Sequence, residues 1–289
     1  TGKSDLYEYT PFEGGMAGTA YLNNYLGTLH LRRTDLSLGG ERMPVSIEFY
    51  YDPANITTNN PYGSGWSVNY DQKISYDEDE QHYAYKNENG TWIYFVNSGT
   101  RDDEGYEIWK EDTSYGIGDT GMILYRPWYT DWSDYSDLYL ISGNIRYEFS
   151  DLGLLNKLSD GANQIQIGHN AATGAVEYVT DAVGRTYDFI YTNRLLSGLI
   201  CKDSSGNEIS VDEAAVALSY TVSNGKLINV TLANGDMITY TYDSNRRITS
   251  MSNIDKCGYA FTYSEDSVID TITAKAAMGT DAEASGVVT

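Results

Sequence analysis

The alternation of apolar and polar residues is clearest in the stretch 238–273. Tyr240 and Tyr242 alternate with polar residues, and after a polar turn Ile248 and Met251 follow. Alternation of aromatic or β-branched residues with polar ones is typical of a half-buried strand. Two such runs on either side of turn residues predict a hairpin. The pattern then restarts once, so this stretch predicts two consecutive hairpins.

Pairs of apolar residues three positions apart recur through the second half of the chain. They are Leu155/Leu158, Val176/Val179, Leu196/Leu199, Leu227/Val230, Ile248/Met251 and Ile269/Ile272. Their first members lie 21, 20, 31, 21 and 21 residues apart, which indicates six copies of one repeat with one insertion at residues 203–217. Within the insertion, residues 212–215 could form one helical turn. Because a spacing of three breaks strict alternation, the returning strand should carry a bulge or begin inside the turn.

The first half of the chain also predicts strands and hairpins. Residues 45–51 alternate cleanly and predict one strand, whereas residues 24–29 and 34–38 predict two short ones. Asn89-Gly90 lies between two alternating runs, which is a strong hairpin signal within residues 72–112.

The composition agrees with these elements. The 289 residues include 27 Tyr and 28 Gly but only 5 Pro, as expected for antiparallel strands joined by many tight turns. No apolar run approaches the ~20 residues of a membrane helix. We therefore expect an all-β fold of consecutive antiparallel hairpins with almost no helix.

The net charge of −22 limits the partners of the protein. It argues against binding of nucleic acid, whose phosphates need a basic face, and it disfavours insertion into or adsorption to an anionic membrane. Either the charge keeps an outer sheet face soluble, or it serves calcium or a cationic partner. The acidic runs 77–80 and 102–104 favour solvated turns, since neither has the spacing of an EF-hand loop.

The sequence offers little catalytic chemistry. His30, His82 and His169 are isolated, so no metal site and no cofactor is expected. There is no Gly-x-Ser-x-Gly elbow and no phosphate-binding loop. Cys201 and Cys257 are expected to be separate thiols. We therefore predict that the chain is not an enzyme and has no catalytic residues.

Residues 113–140 depart from the repeat pattern because they interleave aromatic residues with aspartates. Flat rings and carboxylates are suited to carbohydrate, so Trp128, Tyr129 and Trp132 are candidate ligand-binding residues. The same composition also describes a loop packed over a sheet edge. The sequence leaves both interpretations open.

The repeats resemble the YD-repeat of the Rhs family, which includes the teneurins and insecticidal toxin-complex subunits. The family motif is roughly Tyr-x-Tyr-Asp-x-x-Gly-Arg-Leu-x-x-Val. Residues 240–251 match it with Tyr240, Tyr242 and Asp243 in place, and with Arg246 where the family has Gly. Weaker copies are found at residues 224–227 and 151–155.

The order of strands ahead of the repeats resembles the segment that precedes them in Rhs-family proteins. The matching positions are residues 27–29, 35–38, 45–51 and 62–66. In the last of these, Gly63 and Gly65 permit a tight, close-packed turn. Trp66 can then plug the start of the sheet, and core packing is a better interpretation of it than ligand stacking.

The resemblance implies a fold and an organisation. The hairpins would join edge to edge into one long, curled or spiral antiparallel sheet, which in the family coils into a shell around a C-terminal polypeptide or serves adhesion. Residues 1–140 would form a pre-repeat β region, residues 141–273 the six repeats, and residues 274–289 a flexible tail.

The resemblance also implies a function. The chain would be a structural shell or adhesion fragment of a longer secreted or cell-surface protein, with toxin encapsulation as one family role. Its partner would be the C-terminal part of the same polypeptide, and its location extracellular or at the cell surface. One alternative is a carbohydrate-binding module or glycan-active enzyme that uses residues 113–140. The other is a calcium-dependent adhesin that uses the acidic loops, with a cell-surface protein or glycan as its partner.

Overall fold

The computed structural model describes residues 8–38, 43–115, 120–209, 217–232, 234–266 and 268–275. In these ranges the regular structure consists of 23 strands and three 3-10 turns, the latter at Gly15–Ala17, Pro53–Asn55 and Thr113–Tyr115. The prediction of an all-β fold with almost no helix is confirmed. The predicted turn at residues 212–215 lies outside the described residues, as does the chain from 276 to 289.

The first sheet has five strands in sequence order. They are β1 (Tyr9–Glu13), β2 (Thr19–Asn23), β3 (Leu29–Leu38), β4 (Val45–Tyr51) and β5 (Trp66–Val68). Each strand pairs antiparallel with the next. The strand predicted at residues 45–51 is confirmed.

The prediction of a short strand at 24–29 is wrong, and the strand predicted at 34–38 is the end of a longer one. Residues 24–28 form a turn, because the side-chain oxygen of Asn23 accepts hydrogen bonds from the amides of Tyr25 (3.0 Å) and Leu26 (2.8 Å). Gly27 completes that turn at a φ of 65°, a value that favours glycine. The apolar residues beyond it belong to the single ten-residue strand β3.

The second sheet contains the remaining eighteen strands, paired in sequence order. They are β6 (Lys73–Asp77), β7 (His82–Lys86), β8 (Trp92–Arg101), β9 (Glu107–Glu111), β10 (Ile123–Arg126), β11 (Tyr139–Ser142), β12 (Ile145–Phe149), β13 (Leu155–Ser159), β14 (Gln164–His169), β15 (Val176–Thr180), β16 (Thr186–Thr192), β17 (Leu195–Lys202), β18 (Ala217–Ser223), β19 (Lys226–Leu232), β20 (Met237–Tyr242), β21 (Ile248–Ser252), β22 (Gly258–Tyr263) and β23 (Ile269–Lys275). The hairpin predicted around Asn89-Gly90 is β7–β8.

The change from the first sheet to the second falls between Val68 and Lys73, inside the predicted pre-repeat region 1–140. β10 pairs with β9 and β11 and carries the second sheet through the aromatic segment. At the other end, β23 extends to Lys275, so the first two residues of the predicted tail are strand.

The long sheet curls back on itself, as the resemblance implied. The Ile74 amide donates to the Gly153 carbonyl (2.8 Å), and the Leu155 amide donates to the Gln72 carbonyl (3.0 Å). The start of β6 therefore touches the turn between β12 and β13. Gly153 permits this approach, because a Cβ atom there would lie 2.2 Å from the Ile74 oxygen.

The six predicted repeat copies are six consecutive hairpins, from β12–β13 to β22–β23. In each one the register shifts opposite the first apolar residue. Tyr242, for example, pairs with Ile248. The preceding residue, Thr241, pairs with Ser250, so Thr249 is an extra residue on the returning strand. This confirms the predicted bulge and explains the spacing of three, because one extra residue returns both apolar side chains to one face.

The core lies inside the curl and between the two sheets. Ten of the twelve paired apolar residues of the repeats are buried, and Leu158 and Ile269 are partly buried. They pack in one cluster with the inward side chains of β3 and β4, among them Leu31 and Phe49. Burial of this apolar surface is the main force that holds the sheets together.

Candidate functional site: the seam between the two sheets

The bulges form a row along one end of the repeats. Each begins at the first residue of the apolar pair of its copy, which we call the bulge residue. The bulge residues are Leu155, Val176, Leu196, Leu227, Ile248 and Ile269. Four of their amides donate to the segment 27–72, which supplies the Gln72 carbonyl to Leu155 (3.0 Å), the Tyr62 hydroxyl to Val176 (2.9 Å), the Pro61 carbonyl to Leu196 (2.9 Å) and the Gly27 carbonyl to Ile269 (2.8 Å). Because a buried amide needs an acceptor, the pre-repeat segment completes the hydrogen bonding of the repeats. We call this line of contacts the seam.

The carbonyl groups of four bulge residues are hydrogen-bonded by side chains of the next repeat copy. An aromatic side chain of the next copy bonds each of four: His169 Nε2 to Leu155 (2.7 Å), Tyr191 Oη to Val176 (2.6 Å), Tyr242 Oη to Leu227 (2.7 Å) and Tyr263 Oη to Ile248 (2.6 Å). The repeat tyrosine therefore ties the third, fifth and sixth copies to the copy before each of them. His169 takes the place of this tyrosine in the second copy, which gives that isolated histidine a structural role.

Trp66 lies fully buried on the seam. Its Nε1 atom donates to the Tyr242 hydroxyl (3.0 Å), and its ring centroid lies 5.1 Å from that of Tyr240 and 5.6 Å from that of Tyr51. The structure thus brings together the tryptophan of the pre-repeat element and both tyrosines of the best-matching repeat, which are more than 170 positions apart in the sequence.

Gly63 and Gly65 allow this contact. A Cβ atom on Gly63 would lie 2.6 Å from the Leu227 amide nitrogen, and one on Gly65 would lie 2.5 Å from the Tyr51 ring. Both residues also have a positive φ, of 100° and 83°. Between them the Ser64 amide donates to the Gly225 carbonyl (2.7 Å). The element is therefore a close backbone-to-backbone docking point that only glycine permits.

A buried ion pair, Arg33 with Asp35, lies beside Trp66 and was not found from the sequence. The guanidinium donates to both carboxylate oxygens and to the Tyr240 hydroxyl (2.9 Å), and the Tyr220 hydroxyl donates to Asp35 (2.7 Å). Burial alone would lower the pKa of Arg33, but the carboxylate and the tyrosines outweigh it and raise that pKa. The pair ties β3 to β18 and β20.

Only a weak signal in the sequence pointed to that pair. Leu29, Leu31 and Arg33 occupy alternate positions, so Arg33 follows two inward residues. A bulge in β3 between Thr34 and Leu36 then turns Asp35 to the same side. The pairing of the two charges across that bulge depends on a register that the sequence does not specify.

Asp243, the aspartate of the repeat motif, caps a turn. Its Oδ1 atom accepts from the amides of Asn245 and Arg247, both at 2.9 Å, and its Oδ2 atom accepts from Arg247 Nε at 2.6 Å. Arg246 adopts a φ of 65° in this turn, which explains why the family motif has glycine there. Asp181 and Arg185 repeat the arrangement, with Nε to Oδ2 also at 2.6 Å.

The aromatic segment does not form one flat platform. Trp128 and Tyr129 are 58% and 63% exposed, with the Arg101 guanidinium 5.8 Å from the Trp128 ring. Trp132 is 40% exposed, but Tyr76 stacks on it at 4.8 Å and the Arg126 guanidinium lies 3.7 Å from its centroid. Since two groups at these distances cannot share one face, both faces of Trp132 are covered. Ligand binding by Trp128, Tyr129 and Trp132 stays a prediction.

The other chemistry of the chain is sparse. In the described ranges, no group of three or more His, Cys, Asp or Glu side chains is placed to hold a metal ion. No helix there has the length and apolar character needed to cross a membrane. Cys201 and Cys257 are separate free thiols, as predicted, and burial raises the pKa of Cys201.

Two family models match the chain. Residues 223–255 match the model described as RHS Repeat, and residues 23–95 match a domain of unknown function, DUF6531. The second segment contains the acceptors of the seam, from Gly27 to Gln72, together with Trp66, and the first contains Tyr240 and Tyr242, the partners of Trp66. The matches confirm the resemblance to the Rhs/YD-repeat family, so the chain carries an Rhs-type repeat.

The chain is similar to several solved structures at low identity and low TM-score. The chain is 12% identical to a TcdB2–TccC3–Cdc42 complex, with 89% of this chain and 11% of that one covered and a TM-score of 0.32. It is 10% identical to the N-terminal domain of the effector SpvB from Salmonella typhimurium strain LT2, with 84% and 98% covered and a TM-score of 0.35. The chain thus spans about a tenth of the chain in the TcdB2–TccC3–Cdc42 complex. Such TM-scores carry no argument about function, and no curated protein matches the chain.

Proposed function

We propose that this chain is a non-enzymatic structural segment of a longer Rhs-type protein. It forms part of a shell wall in which the pre-repeat sheet and the repeats stabilise each other. One observation supports this more than any other. The residues that define the repeat, namely the tyrosine, the bulge residue and the turn aspartate, all bond to other parts of the same wall. None of them is left to bind a substrate, which fits a role in building rather than in chemistry.

The proposal extends to partner and location. The wall would continue into, or enclose, the C-terminal part of the same polypeptide, and the protein would act outside the cell or at its surface. The RHS Repeat match over residues 223–255 supports this extension, because toxin encapsulation and adhesion are roles of that family. The fully buried Trp66 and the buried Arg33–Asp35 pair support rigidity of the wall, since both fix the pre-repeat sheet against the repeats.

Protection of the C-terminal part from protease would test this function. The longer polypeptide should be digested with a non-specific protease, intact and with the Trp66→Ala change that opens the seam. We expect the C-terminal part to survive in the intact protein and to be cut faster in the variant. Trp128→Ala, which removes an exposed tryptophan, is the matched control and should leave protection unchanged. Equal digestion of the C-terminal part in all three proteins would refute the proposal.

A second candidate function is glycan binding, favoured by the exposure of Trp128 and Tyr129 beside Asp137, whose carboxylate lies 3.5 Å from the Tyr129 hydroxyl. Sugar rings stack on exposed aromatic faces. If the segment binds sugar, replacement of the exposed Trp128 and Tyr129 together with alanine should abolish binding on a glycan array while the fold stays intact. Unfolding of that variant, or an array with no signal, would remove this candidate.

A further inference from the structure

A pocket lies on the side of the first sheet that carries Tyr21, Arg32 and Tyr50, and none of its described lining residues belongs to the repeats. On this side, residues from neighbouring strands stand side by side: Tyr21 of β2 pairs with His30 of β3, and Arg32 of β3 pairs with Tyr50 of β4. Asp52 follows β4 directly. Together with Tyr9 of β1 and the β7–β8 turn at Asn89 and Thr91, these residues line an open cavity of about 280 Å³. We call it the outer cavity.

The cation that lines the outer cavity is already neutralised. Arg32 donates to Glu48 from Nε (3.0 Å) and from Nη2 (2.8 Å), a two-pronged pair. The Tyr50 hydroxyl donates to the same carboxylate at 2.6 Å. Arg32 and Glu48 therefore contribute no net charge to the cavity.

The carboxylate of Asp52 is in a different situation. Its Oδ1 atom accepts from the Ala54 amide (2.8 Å), and His30 Nδ1 is 3.7 Å away, a partner with charge only when protonated. No donor among the described residues reaches its Oδ2 atom. Asp52 as a whole is only 8% exposed, so bulk water hydrates its charge poorly. A carboxylate held in this way gains most from a positively charged ligand.

The walls of the cavity suit the same kind of ligand. Tyr9, Tyr21 and Tyr50 line it, and the ring faces of Tyr21 and Tyr50 can attract an organic cation through their quadrupoles. The net charge of −22 adds a field that concentrates cations near the protein. The volume lies slightly below the range of about 300–1,000 Å³ for sites of drug-sized ligands, so the occupant must be small.

From these contacts we propose that the outer cavity binds a small organic cation with an ammonium or guanidinium head. The head pairs with Asp52, and the aromatic rings cover its apolar part. The function proposed above does not depend on this site, and neither Asp52 nor the three tyrosines take part in the repeat hairpins.

Choline is a suitable probe, because 3,3-dimethylbutan-1-ol has the same shape without the charge. Titration of each compound into the whole chain at low salt, followed by NMR, should show saturable binding of choline and no binding of the neutral alcohol. Asp52→Asn keeps an oxygen for the Ala54 amide but removes the charge, so affinity for choline should fall about tenfold, the equivalent of 1.4 kcal/mol. Asp79→Asn, the same charge change in an exposed turn, should leave affinity unchanged.

The proposal is overturned if folded wild-type protein does not bind choline. It is also overturned if the neutral alcohol binds equally well, or if Asp52→Asn binds choline like the wild type. Should Asp52→Asn fail to fold, Tyr21→Leu provides the second test, because it removes a ring from the half-buried outer face. Thermal unfolding establishes that it is folded, and it must then bind choline more weakly; unchanged affinity would refute the site.

Discussion

The hydroxyl of Tyr242 connects the two halves of the molecule, and its removal gives the sharpest prediction. It donates to the Leu227 carbonyl (2.7 Å) and accepts from Trp66 Nε1 (3.0 Å). Burial raises the pKa of Tyr242, so the hydroxyl stays protonated at any ordinary pH and keeps its donor role. Tyr242→Phe removes this one oxygen and leaves the ring in place.

The expected cost follows from the two groups that lose their partner. A buried donor or acceptor left unsatisfied costs about 1–3 kcal/mol, so the loss of both partners should lower the free energy of unfolding by about 2–6 kcal/mol. Tyr263→Phe frees a single acceptor, the Ile248 carbonyl, and should cost about half as much, about 1–3 kcal/mol. Tyr178 is 42% exposed and its hydroxyl has no hydrogen bond in the described part of the chain, so Tyr178→Phe should cost nothing.

Urea unfolding, followed by tryptophan fluorescence and circular dichroism, measures these differences. The three variants should share the wild-type slope of unfolding free energy against urea concentration. The urea midpoint should be lowest for Tyr242→Phe, higher for Tyr263→Phe, and equal to that of the wild type for Tyr178→Phe. If Tyr242→Phe has the same midpoint as Tyr178→Phe, the hydroxyl does not hold the seam and the reasoning is refuted.

Three further changes probe other parts of the structure. Ile248→Asp buries an unpaired charge and should lower the free energy of unfolding by about 4 kcal/mol or more, measured by thermal unfolding. Ile254→Asp, at an exposed position, should leave stability unchanged. An unchanged melting temperature for Ile248→Asp would contradict the burial of Ile248 in the core of the repeats. Gly63→Ala should lower the free energy of unfolding by at least about 2 kcal/mol, because the new Cβ atom clashes with Leu227 and φ is positive. Gly143→Ala, where φ is also positive but space is open, should cost about 1 kcal/mol. Equal urea midpoints for the two variants would contradict close packing at Gly63. Burial alone would raise the pKa of Asp181, but bonds from Arg185 and the turn amides lower it, so its stabilisation exists above the unfolded pKa of about 3.9 and disappears as pH falls. Asp181→Asn should therefore destabilise at pH 7 and have little effect at pH 2, and a pH-independent difference would refute this.

The repeat hairpins could be predicted because their signal is local and periodic. The spacing of three between Ile248 and Met251 even indicated the bulge, since one extra residue is the simplest way to return two side chains to one face. The turn at residues 24–28 was missed for an equally local reason. Asn23 caps that turn with its side chain, and such a cap overrides the apolar pattern of Leu26 and Leu29.

The seam could not be derived from sequence because its contacts are non-local. Trp66 was expected to be a core residue, but nothing near it in the chain indicates Tyr242 as its partner. The burial of Arg33 and Asp35 contradicts the usual expectation for charged residues and depends on a bulge and on distant tyrosines. For the aromatic segment, composition did not reveal that Trp132 is covered on both faces.

Hydrogen exchange at the bulge amides tests the central claim most directly. The amides of Leu155, Val176, Leu196 and Ile269 have their acceptors in the pre-repeat segment, outside the sheet ladder of the repeats. Site-resolved exchange by NMR should show all four protected as strongly as ladder amides in the middle of β19 and β21, because the seam opens only when the protein unfolds. Exchange at the rate of exposed turn amides would show that the two sheets are not joined in this way, and would contradict the account.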